Sequence, residues 1–259
     1  MNSMLFFTAR RDSPGVKLSN ISLSTRRQEF DGLSRPKLPE ARKPQAGVPV
    51  LVADSANRLE ANALACRTRV LLTTAGPFAL YGDGIVEACV NARTHYVDIT
   101  GEVAWVRSLI DRFHERAADE GTRIVPFCGF DSVPSDLGVS LVCQQLGAGI
   151  TEAKAYFQVR GGGPNGGTIA SAHNAYRSGA ADQGRDPFFL SPGKRRALHP
   201  MERDPTRAMY DRDVRAWVAP FPMSRIDTRV VRRSCSLIGV DVAYQEFILL
   251  KGALAPVWA

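Results

Sequence analysis

From Val48 onward, short apolar runs alternate with stretches of helical period. Val48–Ala53 is predicted as a strand ending at Asp54, and Ser55 can cap a helix running through Leu59, Ala63 and Leu64. Arg69–Thr74 predicts a second strand, broken by Gly76-Pro77, and residues 84–91 a helix. His95–Ile99 follows as a strand. Val106, Leu109, Ile110, Phe113 and Ala117 then recur at helical spacing, predicting a long amphipathic helix over 103–120 that Gly121 stops. Arg123–Cys128 reads as another strand, and Ser135 as the cap of a helix to Leu146. Strands alternating with helices over short loops predict a parallel sheet with helices on its faces. Ligands of such sheets bind beyond the carboxyl ends of the strands.

After Gly149 the alternation stops. Ala155–Arg160 predicts a strand, followed by a glycine run and a helix over 168–180. Residues 181–222 are rich in Pro, Arg and Asp and carry no clear period, and strands are expected at Thr228–Arg232 and Val242–Leu250. This half reads as α+β. The pattern therefore divides the chain into 1–46, 47–149 and 150–259.

Composition sharpens the first boundary. Residues 1–46 hold nine Lys/Arg against four Asp/Glu, whereas the rest hold twenty-four against twenty-two, so most of the net charge of +7 sits in a leader with no sustained period. That leader is expected to be unstructured, or to act as a basic arm toward a membrane surface or polyanion. The remainder, within a chain 44% hydrophobic and 23% charged, has the make-up of an ordinary globular protein. No apolar run reaches the ~20 residues of a membrane span, and no secretory signal opens the chain, so a cytoplasmic location is expected. Cys66, Cys89, Cys128, Cys143 and Cys235 contain no CxxC, and the four histidines (95, 114, 173, 199) have no paired ligand spacing. Free thiols in a reducing compartment are expected, and no metal site.

Three loops fall at predicted strand ends. In Thr73–Gly82, Gly76 allows close backbone approach, Pro77 stiffens the turn, and Phe78 and Tyr81 offer flat faces to a planar ring. Asp98-Ile99-Thr100-Gly101-Glu102 places two carboxylates at a strand end, although Thr100 capping with Glu102 near a helix N-terminus explains the same residues. The third is Gly129-Phe130-Asp131-Ser132-Val133-Pro134-Ser135-Asp136. Three such loops on one sheet edge outline a ligand crevice.

Other features have plainer readings. Gly161, Gly163 and Gly166 satisfy GxGxxG, but no strand with a terminal acidic residue follows ~20 residues on, as a dinucleotide fingerprint requires. That run reads as a loop of the second domain, and His173 after it could face the same region. Cys89, Cys128 and Cys143 read as small buried groups, and His95 as satisfied locally. Lys194-Arg195-Arg196 with Arg203 and Arg207 reads as a solvated loop, and nucleic acid is not expected as a partner.

The stretches TTAGPFALYG (73–82), HYVDITGE (95–102) and FCGFDSVPSDLG (127–138), in that order, resemble the saccharopine dehydrogenase-like oxidoreductases. The branch resembled includes the mycobacterial trans-acting enoyl reductases; Gly166–Ser171 and Pro220–Arg233 are similar to it as well. The resemblance covers roughly residues 48–250. It implies a Rossmann NAD(P)-binding domain followed by an α+β substrate and dimerisation domain, so the fold class expected is α/β. By that likeness Asp54 lies toward the adenine end. Thr74, Gly76, Pro77 and Phe78 flank the nicotinamide, with Tyr81 just beyond, and Gly129, Phe130 and Asp131 close the cleft. The resemblance also implies a glycine-rich strand–turn–helix that residues 1–47 do not match, and a continuation beyond residue 259. An incomplete Rossmann-like sheet and a truncated second domain are therefore expected.

The function expected is NAD(P)-dependent hydride transfer to a carbonyl or enoyl group of a small-molecule or acyl substrate, with NADP or NAD affinity weakened where phosphate-binding glycines are missing. Tyr81 and Asp131 are the candidates for proton transfer or substrate orientation; shaping the pocket is their alternative role. A homodimer and peripheral membrane association stay open. The alternative to an enzyme is a non-catalytic remnant or interaction protein retaining part of the fold.

Overall fold

The structure, a computed structural model, describes residues 4–11, 19–24, 53–130, 132–147, 149–158, 184–192 and 196–250. Two sheets organise the molecule. The first is parallel, in the order β3 (Val70–Thr73), β4 (His95–Asp98), β5 (Ile124–Val125). Its crossovers include α2 (Phe78–Tyr81) and α3 (Asp83–Ala92) between β3 and β4, and α4 (Val103–Asp119) between β4 and β5. Helix α1 (Arg58–Ala65) precedes β3, capped by Asn57 rather than Ser55: the Asn57 Oδ1 accepts from the amides of Leu59 and Glu60. The alternation read from the sequence is this α/β, Rossmann-like sheet.

Side-chain alternation explains which face is covered. Leu71, Tyr96 and Ile124 pair across the sheet and pack with Val86, Cys89, Val106 and Leu109 of α3 and α4. The next row, Leu72, Val97 and Val125, points the other way, and among the described residues Leu72 and Val125 stay 65% and 43% exposed. Strand β5 is shorter than expected because Pro126 donates no amide and Phe127 turns the backbone left-handed at φ 62°. Gly121, at φ +69°, stops α4 as its position predicts.

The second sheet is mixed, in the order β2-β1-β6-β9-β8-β7. Its strands are β1 (Met4–Arg11), β2 (Ser19–Ser24), β6 (Ile150–Gln158), β7 (Met209–Asp211), β8 (Ala216–Pro220) and β9 (Ala243–Leu249). Helices α5 (Ser132–Leu146) and α6 (Ser224–Ile238) cover one face, with Val139, Val142, Val231 and Cys235 against Ala153, Ala155, Phe157 and Tyr244.

Three readings are corrected here. Parts of the segment expected to be unstructured form strands: β1 runs antiparallel along β6, from Met4 opposite Gln158 to Arg11 opposite Ile150. Its apolar start, Met4-Leu5-Phe6-Phe7, is too short to show a period by itself, and the partner strand lies 140 residues away in the chain. Residues 228–232 are helical, inside α6; the β-branched Val230-Val231 pair suggested a strand, but Thr228, Val231, Arg232 and Cys235 share one buried helical face. Two short strands, β7 and β8, stand within the span that showed no period.

The predicted strand at 48–53 up to Val52, the glycine run 161–167, the predicted helix 168–180 with His173, and the basic pair Lys194-Arg195 lie outside the described residues. Arg196 is described, and it is no solvated loop residue. Its guanidinium bonds both oxygens of the buried Glu202 at 2.7 Å each. All five cysteines are free thiols. No helix among the described residues is long and apolar enough to cross a membrane.

Candidate active site

Parallel pairing puts Thr73, Asp98 and Val125 at one end of the sheet, so the three loops share its carboxyl edge. Two carboxylates tie those loops together. Glu102 reaches back from the start of α4 to α2: its Oε1 accepts from the Phe78 amide at 2.8 Å and its Oε2 from the Ala79 amide at 3.0 Å. The first turn of a helix leaves amides without intrahelical partners, and a carboxylate there is stabilised by both hydrogen bonds and the helix dipole. Thr100 does cap locally, its Oγ1 accepting from the Glu102 amide at 3.1 Å.

Asp98 is the second tie, fully buried. Its Oδ1 accepts from the Thr100 amide at 3.0 Å and the Phe127 amide at 3.3 Å, and its Oδ2 from the Tyr96 hydroxyl at 2.8 Å. Its carbonyl accepts from the Cys128 amide at 2.7 Å. Burial pushes the carboxyl above the usual carboxylate range, against these hydrogen bonds, which pull it down. Asp98 therefore sets the second and third loops in register and has no oxygen directed at solvent.

The first loop is packed from beneath. Phe78 is 5% exposed and its ring stacks on Trp105 at 5.9 Å between centroids. It offers no face to a ligand, which corrects the expectation that Phe78 flanks a planar ring. The reason is close packing at Gly82, where an added Cβ would sit 2.5 Å from the Trp105 ring and 2.7 Å from the Phe78 carbonyl. Trp105 is held in turn by its indole nitrogen donating to Asp83 Oδ1 at 2.7 Å. Thr74 is exposed, Gly76 and Pro77 are half-buried, and the Gly76–Pro77 bond is cis. Tyr81 and Phe130 stand out, each 55% exposed, on the first and third loops. Gly129 accepts from the Val133 amide at 3.2 Å, opening α5. Asp54 is exposed, its Oδ1 accepting from the Ala56 amide at 2.9 Å in a local turn. Asp131 lies outside the described residues.

A buried polar cluster beneath the third loop escaped the sequence reading. The Ser132 hydroxyl, at the start of α5, donates to Asp227 Oδ1 of α6 at 2.8 Å. Asp227 is in hydrogen-bonding contact with Glu246 of β9, whose Oε1 accepts from the Tyr244 hydroxyl at 2.7 Å. Asp227, Tyr244 and Glu246 have no exposed surface. Burial drives the Glu246 carboxyl up, so the pair holds a proton between its two acids. Around it, α6 turns further polar groups inward. Arg229 forks onto both oxygens of Asp204 at 2.6 and 2.7 Å, and Arg232 bonds Glu202 Oε1 at 3.2 Å and the Tyr244 carbonyl at 2.9 Å. With further bonds to the Gly184, Arg185 and Pro187 carbonyls, these two arginines tie the described residues 184–187 and 202–204 to α6. The sequence signal for them was the run Arg229, Arg232, Arg233 at helical spacing, masked by the strand reading.

No family model matches the chain. It is similar to a Mycobacterium tuberculosis protein named as a trans-acting enoyl reductase, 40% identical over 210 residues, covering 76% of this chain and 50% of that protein. The trans-acting enoyl reductase of Mycobacterium bovis is 35% identical over 233 residues, covering 82% of this chain and 55% of its own length. That of Mycobacterium ulcerans is 35% identical over 229 residues, with 80% and 54% covered. The chain thus spans about half the length of the curated relatives it matches, and over that span it is a homologue of the trans-acting enoyl reductases.

Proposed function

We propose that the chain is an oxidoreductase of the saccharopine dehydrogenase-like type that reduces an enoyl or carbonyl group of an acyl or other small-molecule substrate, using NADP or NAD. The observation that carries this reading is the carboxyl edge itself, where Glu102 and Asp98 lock three loops into one rigid rim. Homology to proteins named enoyl reductases supports the reaction class. A bound nicotinamide would supply the hydride.

The described residues suit the ring end of such a cofactor better than its phosphates. In this reading exposed Thr74 and the Gly76-Pro77 backbone would form one wall of the rim, and Gly129 with the exposed Phe130 ring the other. Pyrophosphate needs free amides at a helix N-terminus or a glycine-rich turn. At α2 the Phe78 and Ala79 amides are already bonded to Glu102, and the described residues contain no glycine-rich strand–turn–helix. The whole dinucleotide is therefore not accounted for by these residues, and the roles proposed here are confined to the rim. Tyr81, exposed at the end of α2, would donate a proton or orient substrate; Asp131, outside the described residues, is the second candidate for that role. Asp54 would sit toward the adenine end. Phe78 acts from below, supporting the loop through Trp105.

The Glu102 contacts also favour a second reading, that of a non-catalytic remnant retaining the fold as an interaction surface. Titration with NADPH and NADH separates the two: nicotinamide fluorescence and melting temperature shift for the enzyme and stay flat for the remnant.

A further inference from the structure

Beside β5, on the side away from β4, lies a groove of about 620 Å³. Ligand clefts typically measure about 300–1,000 Å³. Much of its lining is apolar: Ile110 and Phe113 of α4, Val133 and Leu137 of α5, and Leu237 of α6. Leu137 and Leu237 are 62% and 51% exposed, more than single surface residues need explain when they line one concavity.

Two guanidiniums, those of Arg233 and Arg123, and the His114 ring also line the groove. Arg233 of α6 is half-buried, its Nη1 donating to the Leu190 carbonyl at 2.8 Å and its Nη2 lying 3.3 Å from His114 Nδ1. A guanidinium only donates, so that ring nitrogen accepts. Among the described residues no carboxylate pairs with Arg233. Burial, and then the neighbouring Arg107, hold its guanidinium below the usual arginine value. The carboxyl that also lines the groove, Asp136, is pushed the opposite way by burial, toward its neutral form. The groove thus presents hydrocarbon surface together with the Arg233 and Arg123 guanidiniums and the Asp136 carboxyl, and Arg233 has no carboxylate partner among the described residues, a combination that can receive an anion with an apolar tail.

We propose that this groove binds a single-chain fatty-acid carboxylate, the carboxylate on Arg233 beside His114 and the hydrocarbon along α4 and α5. Other residues bear on the charge balance: Asp136 with Ser234 across the groove, Arg107 behind Arg233, and Arg123 at the start of β5. The groove shares Ser132, Val133 and Asp136 of the third loop with the rim of the nicotinamide reading, and its assay contains no cofactor.

The test is calorimetric titration of the chain with monomeric oleate and with oleyl alcohol, below their aggregation limits. Oleate is expected to bind, and Arg233→Ala to weaken it about tenfold or more, as loss of a charge-assisted contact does, with oleyl alcohol changed little. Ala118→Trp, at an exposed helix position lining the groove, should weaken both ligands; melting curves confirm that each variant is folded. Absence of oleate binding overturns the proposal. So does equal oleate binding by the Arg233→Ala chain, or binding to anionic vesicles only. A dimer dispersed by Leu137→Asp, without oleate affinity, would overturn it in favour of an interface between two copies of the chain.

Discussion

Replacing Glu246 by Gln tests the buried acid pair most sharply. In the folded chain the Glu246 carboxyl is raised from 4.5 to about 7, burial outweighing its hydrogen bonds. Between those values the folded state keeps a proton that the unfolded chain has already released. Fewer protons on the unfolded state means that stability falls as pH rises, from about 4.5 until the folded group has titrated near 7, and levels off above. At 1.36 kcal/mol per pKa unit the full loss is about 3 kcal/mol. The amide of Gln does not ionise, and its oxygen can still accept from Tyr244 and from Asp227, whose hydrogen bond to Glu246 pulls that carboxyl down against burial. The variant and the parent should therefore have similar stability near pH 4.5, and the variant should lead by about 3 kcal/mol at pH 8, on the same conversion. Asp98 and Asp136 are raised by burial in both chains, so they cancel in the difference. Urea unfolding followed by circular dichroism at five pH values between 4.5 and 8.5 measures it. A stability difference that does not change with pH would refute the shared proton.

Glu102→Ala strips two amides at the start of α2 of a charged acceptor; a hydrogen bond to a charged group contributes about 1.5–3 kcal/mol net, the lower end applying where the contact is exposed, so a loss of about 2 kcal/mol or more is expected in urea unfolding. Amide exchange at Phe78 and Ala79 should quicken at the same time. Gly82→Ala brings a methyl to 2.5 Å from the Trp105 ring, and this overpacking should cost about 1–3 kcal/mol, with a shift in tryptophan emission. Arg232→Ala removes the donor to the Pro187, Glu202 and Tyr244 carbonyls and one of the two arginines on Glu202, which Arg196 still forks onto; a buried acceptor left unpaired costs about 1–3 kcal/mol, and the melting temperature should fall.

The parallel sheet and its three loops were legible because each strand, helix and turn there is short-range, with Leu71, Tyr96 and the α4 stripe showing their period locally. What failed was of two kinds. Side-chain direction at a turn is set by packing, so Phe78 looked available to a ligand although Gly82 lets Trp105 draw it into the core. Long-range pairing leaves no local trace: β1 needs β6 to be a strand, and Glu102 caps a helix 24 residues upstream. The Asp227–Glu246 pair joins a helix to a strand, and only the fold brings the two acids together. Val230-Val231 misled for the opposite reason, since local β propensity was overruled by the amphipathic face of α6.

Under the proposed function, the carboxyl edge of the parallel sheet receives a nicotinamide. The most direct measurement is titration of the chain with NADPH, NADH and reduced nicotinamide mononucleotide, following nicotinamide fluorescence and melting temperature. Enhanced fluorescence and a raised melting temperature are expected with all three, the mononucleotide approaching the dinucleotides if the rim takes the ring end. No change with any of them at millimolar concentration would contradict it.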